Sequence, residues 1–204
     1  MIAIVDYGLG NIRAFANVYK RLDIPFSIAS SKETLNLASK IILPGVGAFD
    51  HAMERLQQSG MRDLLDELVQ LRKVPVLGIC VGMQILARSS EEGVLPGLGW
   101  IDGVVKRFDP SGFKHKTILP HMGWNTITPI HDNPLMLDLN NDSRFYFLHS
   151  YYFQCDNEEN IIAVTDYGYQ FSCIVNSGNI YGVQCHPEKS HQNGIRLLRN
   201  FANL

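Results

Sequence analysis

The segment Val76-Leu77-Gly78-Ile79-Cys80-Val81-Gly82-Met83-Gln84 decides how the rest of this chain is read. Pro75 to Ile79 is the kind of short apolar run that makes a strand buried on both faces, and a helical pattern follows over Gly82 to Arg88 with almost no connection. A strand entering a helix through Gly-x-Cys-x-Gly is the thiol counterpart of the Gly-x-Ser-x-Gly nucleophile elbow. The spacing has a steric reason. A sharp turn places the central residue in an unfavourable backbone region, and glycines two positions either side let strand and helix approach closely. The helix N-terminus also favours thiolate over thiol. The same residues suit a buried structural cysteine beside packing glycines, since Cys is among the most buried residue types. On this segment alone both readings stand.

Before the elbow the pattern is an alternation. Ile2 to Val5 predicts a strand, Gly8 and Gly10 a turn, and Asn11 precedes an amphipathic helix through Leu22. Strands follow at Phe26 to Ala29 and Ile41 to Leu43, with helices over Lys32 to Ala38, Phe49 to Gln58 and Met61 to Lys73. Such alternation argues for a parallel sheet covered on both faces. From Leu98 the texture turns to β-branched and aromatic runs. Strands are expected over Trp100 to Phe108, Thr117 to Leu119, Phe145 to Leu148, Tyr152 to Cys155, Ile161 to Asp166, Gln170 to Asn176 and Ile180 to Gln184. Ser177-Gly178-Asn179 signals a hairpin, and a last helix is expected over His191 to Asn200. No repeat or linker separates the two textures, so residues 1–204 are expected to form a single domain.

The composition narrows the function. The 204 residues carry 18 Lys plus Arg against 20 Asp plus Glu, a net charge of -2, which gives no electrostatic reason to bind nucleic acid or anionic membranes. No apolar run approaches the roughly 20 residues of a membrane span, and no targeting segment is visible at Met1, so a cytoplasmic address is expected. Cys80, Cys155, Cys173 and Cys185 show no zinc-type spacing, so no metal is expected. No cofactor is expected either: Gly8-x-Gly10 reaches Arg13 where a dinucleotide fingerprint needs its third glycine.

A thiol nucleophile needs a base and the base an orienting group. Of seven histidines, His51, His115, His131 and His191 suit surface or capping positions, whereas His121, His149 and His186 each follow an apolar strand. Gly182-Val183-Gln184-Cys185-His186-Pro187-Glu188 sets a carboxylate two residues after the imidazole. In extended chain these two side chains face the same way, so Glu188 can fix the tautomer of His186.

Together, Gly78 to Gln84 and His186-Pro187-Glu188 resemble the class I (triad) glutamine amidotransferases. Further segments narrow the likeness: Pro44-Gly45-Val46-Gly47-Ala48-Phe49, Pro120-His121-Met122-Gly123-Trp124-Asn125, His149-Ser150-Tyr151 and Pro187-Glu188-Lys189-Ser190 are similar to the glutaminase subunits of imidazole glycerol phosphate synthase. The resemblance implies a flavodoxin-like α/β three-layer sandwich, its central sheet mostly parallel with an added antiparallel β portion in the C-terminal half. It implies Cys80 as nucleophile, His186 as base and Glu188 as its orienting group. The backbone of Val81 and of the Gly45-Val46 loop would form the oxyanion hole. Gly47, Gln84, His149, Ser150 and Tyr151 would hold L-glutamine, and Asn11, Trp124 and Lys189 would face a partner. That partner would be a HisF-type (β/α)8 cyclase subunit, in a heterodimer whose ammonia serves histidine biosynthesis. Supply of ammonia to another synthase, such as one amidating sugars of surface polysaccharides, and a non-catalytic regulatory role are the competing readings.

Two positions depart from the family pattern. Val81 stands for the commoner leucine, and Cys185 for the commoner phenylalanine before His186, which would set a second, oxidisable thiol near the site.

Overall fold

The computed structural model describes residues 1–113 and 118–204. Five strands make the parallel part of its main sheet, in the order β2 (Phe26–Ala29), β1 (Ile2–Val5), β3 (Lys40–Gly45), β4 (Val76–Cys80) and β13 (Ile180–Val183). β1, β4 and β13 are buried along their whole length, which explains why they read as continuous apolar runs rather than alternations. From β13 the sheet continues antiparallel through β12 (Gln170–Ser177), β10 (Tyr151–Cys155) and β6 (Gly103–Arg107), ending at the short parallel strand β5 (Ser89–Ser90). β11 (Ile161–Asp166) pairs with β12 and with β8 (Thr128–Pro129). A separate antiparallel ribbon joins β7 (His121–Thr126) to β9 (Arg144–His149).

Helices surround the sheet: α1 (Ile12–Arg21), α2 (Lys32–Leu35), α3 (Phe49–Gln58), α4 (Arg62–Asp66), α5 (Val81–Gln84) and α6 (His191–Asn203). The buried residues of α1 are Phe15, Val18 and Tyr19, the spacing of one helical face. The Tyr19 hydroxyl donates to the Leu198 carbonyl at 3.4 Å, tying α1 to α6. No helix of the described residues is long and apolar enough to cross a membrane.

Several expectations need correction. The helix expected over Met61 to Lys73 is α4 continued by a π-helical turn over Glu67–Leu71. The helix expected to reach Arg88 stops at Gln84, and the carbonyls of the residues that would continue it are captured from outside: Leu98 N–H bonds Ile85, Gly99 N–H bonds Ala87, and Trp100 and Ile101 N–H both bond Leu86. The same bonds hold Trp100 and Ile101 out of the strand expected there, which begins only at Gly103. The strand expected over Thr117 to Leu119 lies partly outside the described residues, as does His115, and Ile118 and Leu119 form no strand. His121 therefore opens β7 instead of closing a strand. Cys155, of the antiparallel half, is half-buried, while Cys173 is fully buried.

Candidate active site

At the carboxyl end of β4 the chain turns from strand to helix within one residue. Cys80 takes φ 56° and ψ -114°, a region that costs a non-glycine residue about 1–3 kcal/mol and persists only where surrounding structure imposes it. The glycines impose it. A β-carbon on Gly78 would sit 2.5 Å from the Gly82 carbonyl oxygen, and one on Gly45 would sit 2.4 Å from the Gly82 nitrogen. Gly45 pairs in register with Cys80, so β3 is pressed directly against the elbow. The Tyr7 hydroxyl donates to the Pro44 carbonyl at 2.6 Å beneath this contact, and burial first, then nearby Cys80, pushes its pKa up.

β13 lies beside β4, with Gly182 opposite Gly78 and Val183 opposite Ile79, so the residues after Val183 emerge at the same sheet edge as Cys80. His186 is held there by its own N–H to Tyr146 O (2.8 Å) and by Ser190 Oγ donating to its carbonyl (2.6 Å). Glu188 follows within a 3₁₀ turn, Pro187–Lys189, not in the extended chain that the spacing suggested. The pairing forms all the same: His186 Nδ1 and Glu188 Oε1 are 3.0 Å apart, with side chains 5% and 3% exposed. Nδ1 is thereby committed to Glu188, and Nε2 is left buried without a hydrogen-bond partner. Burial opposes an imidazolium here, but interaction with Cys80 and Glu188 outweighs it and raises the His186 pKa to about 10. That shift stabilises a cationic ring beside the thiol.

Cys80 opens onto a cavity of about 320 Å³. Val46, Gly47 and Val81 border it on the β3 side, Gln84, His149, Ser150 and Tyr151 on another, and His186 and Lys189 at the turn. Glu92, Pro120 and Leu148, to which the sequence assigns no role, also line it. Glu92 Oε2 accepts from the Phe49 N–H at the start of α3 (2.9 Å). Burial nonetheless pushes the Glu92 carboxyl up, the Phe49 amide opposing and Asp50 adding, so an ammonium in the cavity would be a welcome counter-charge. The Gln84 amide donates both protons, to Tyr151 O (3.2 Å) and Gln184 Oε1 (3.0 Å), and Gln184 Nε2 points at Cys80 Sγ (3.8 Å). The Gln84 oxygen is therefore the end free to accept from a ligand. Gln184 was missed although it lies two residues before His186, a spacing that placed it on the same side.

Trp124 does not reach this cavity. It is 39% exposed, stacked on His191 at 5.1 Å, and lines a separate hollow of about 420 Å³ with Arg144, Ser190, Gln192 and Asn193. Asn11 is exposed at the start of α1, and Lys189 is exposed with its ammonium 5.6 Å above the Tyr146 ring. Cys185 is 1% exposed, and burial, followed by Cys173, Glu188 and Cys80, pushes its thiol well above the ordinary value. Its burial argues against ready access by oxidants.

A family model for class I glutamine amidotransferases matches residues 3–204. Imidazole glycerol phosphate synthase subunit HisH of Bdellovibrio bacteriovorus is 58% identical over 204 residues, the whole of both chains. The chain belongs to the class I glutamine amidotransferases, in the HisH family. Subunit HisH of Leptospira interrogans is 54% identical, again over the full length of both. A crystal structure of a glutamine amidotransferase superposes with a TM-score of 0.74 over 100% of this chain and 99% of that one, at 21% identity, so there the fold alone is shared. For an amidotransferase of this family, the elbow thiol, the raised imidazole and the carboxylate behind it stand in the order that amide hydrolysis needs.

Proposed function

We propose that this chain is a glutaminase subunit whose Cys80, His186 and Glu188 hydrolyse L-glutamine, and that it delivers the ammonia to a HisF-type (β/α)8 cyclase subunit. The observation that carries the reading is the buried His186–Glu188 pair, 3.0 Å apart, facing a thiol held at φ 56°. The thiolate attacks the side-chain carbonyl carbon of glutamine, and the oxyanion is met by the Val81 N–H and an amide of the Gly45-Val46 loop. The imidazolium of His186 gives its proton to the departing ammonia, leaving a γ-glutamyl thioester on Cys80. His186 then takes a proton from water, which cleaves the thioester to glutamate and restores the thiol. Glu188 keeps Nδ1–H engaged throughout, so that Nε2 alone exchanges protons.

Gly47, the free Gln84 oxygen, Glu92 and the backbone of His149, Ser150 and Tyr151 surround the substrate. One sheet runs unbroken from β2 to β5, which supports a single amidotransferase domain over residues 1–204. Asn11, Trp124 and Lys189 are assigned to the cyclase interface on the family resemblance, supported by their exposure. The name HisH borne by full-length relatives favours the histidine pathway over sugar amidation, and a filled triad disfavours a non-catalytic role. The test is glutamate release with and without a HisF-type subunit and its nucleotide ligand. Release that rises on pairing and vanishes in Cys80→Ala supports the reading; release at the parental rate in Cys80→Ala overturns it.

A further inference from the structure

Two buried imidazoles, His149 in the cavity lining and His121 behind it, take no part in the thiol chemistry. His121 of β7 and His149 of β9 are register partners in the ribbon, 3% and 6% exposed. His149 Nδ1 is 2.8 Å from the Tyr151 carbonyl, and its Nε2 is 3.0 Å from His121 Nδ1. A carbonyl only accepts, so His149 carries its proton on Nδ1 and presents Nε2 as an acceptor. His121 must then carry its own proton on Nδ1, and its Nε2 accepts from the Asn125 amide at 3.3 Å. That amide also donates to Asp166 O at 2.7 Å. Each bond has one donor and one acceptor, and each ring one proton. Burial keeps both rings neutral, lowering His121 to about 4 and His149 to about 3. His121 is further clamped between Tyr167 (4.0 Å) and Phe147 (4.8 Å), both near parallel to it.

The chain ends on the carbonyl from which Gln84 hangs, and Gln84 leads through Gln184 to Cys80. We propose that His121 and Asn125 are positioning residues of the glutamine pocket: a one-directional hydrogen-bond chain, Asn125 to His121 to His149 to the Tyr151 carbonyl, sets the orientation of Gln84 and the backbone that hold the substrate. This assignment rests on the glutaminase reading and adds to it two residues that touch neither substrate nor thiol.

The test uses the chain complexed with a HisF-type subunit. His121→Phe keeps a ring between Phe147 and Tyr167 but removes the donor, leaving a buried acceptor bare. The expected result is a glutamine KM raised about tenfold with kcat held within about threefold. His121→Asn, which restores an N–H near the Nδ1 position, recovers most of the KM. An unchanged KM in His121→Phe, or a loss in both variants that follows the unfolded fraction, overturns the proposal. Nitrogen-15 spectra of histidine-labelled wild-type chain provide a readout that does not depend on variants or turnover: His149 protonated on Nδ1 alone at neutral pH is expected, and a proton on Nε2 overturns the chain. Absence of hydrolysis by the wild-type complex defeats the glutaminase reading, and the positioning role with it, while the tautomers remain measurable.

Discussion

The carbonyl oxygen of Leu43 fills the space that a β-carbon on Gly82 would need, lying 1.9 Å from where that atom would stand. That oxygen is backbone, so it cannot swing aside. Gly82→Ala should therefore cost about 3 kcal/mol or more and disturb the elbow. Gly47→Ala is the control: its φ of +91° is strained for alanine, but nothing lies within 4 Å, and a loss of about 1 kcal/mol is expected. Urea unfolding of both variants measures the difference, and equal losses would refute the backbone-contact explanation.

Glu188→Gln keeps a hydrogen-bond partner for His186 and removes the charge. Glutamine hydrolysis should fall by about 10²–10⁴-fold, as expected when an imidazole loses the anion that fixes its tautomer and cation. Stability should respond as well. The His186 pKa is raised from 6.5 to about 10, so the protonated ring contributes in full below pH 6.5 and the contribution is lost as pH rises through about 10. Thermal melts from pH 6 to 10 should show that decline in the wild type and a flatter profile in the variant.

The paired imidazoles of the ribbon act in the opposite direction. Their pKa values lie at about 4 and about 3, below the ordinary 6.5, so the folded state resists protons that the unfolded chain accepts. Their contribution is full above pH 6.5 and drains away as pH falls toward 3. Acid titration of the fold should be shallower in His121→Asn than in the parent.

Glu92→Gln retains an oxygen for the Phe49 amide and so should leave the start of α3 intact. Loss of the carboxylate charge facing a bound ammonium should raise the glutamine KM about tenfold. Steady-state kinetics at fixed pH with the partner present measures this, and an unaltered KM would remove Glu92 from the substrate site.

Trp124→Ala deletes a 39% exposed indole that stacks on His191 and lies outside the Cys80 cavity. Affinity for the cyclase subunit should drop about tenfold or more, as for an interface aromatic, with the melting temperature little changed. Titration calorimetry measures it; undiminished affinity would place the interface elsewhere.

The elbow was legible because most of its constraint is local: Gly78 and Gly82, two positions either side of Cys80, permit both the sharp turn and the close packing. The His186–Glu188 pair was legible as a spacing, although a 3₁₀ turn brings the groups together. β7 was not legible, and its composition explains why. Its inward positions are His121, Gly123 and Asn125, while Met122 and Trp124 point outward, so the usual apolar-inside alternation is reversed. Glu92 was invisible because no motif surrounds it, and its place depends on a contact with Phe49 from a distant part of the chain. The end of α5 was unreadable for a related reason: residues 97–101 take the carbonyls of Ile85 to Arg88, where the helix would have continued.

The order of strands across the sheet has a consequence for the chain as it is made. β13 stands between β4 and β12, so the slot beside the thiol-bearing strand is filled by a segment about one hundred residues further along. During vectorial synthesis Cys80 leaves the ribosome long before its base does, and β4 meanwhile has an unoccupied flank. A nascent chain therefore carries the thiol without the means to use it. The Cys80 and His186 side chains can meet only once the late strand has inserted beside β4.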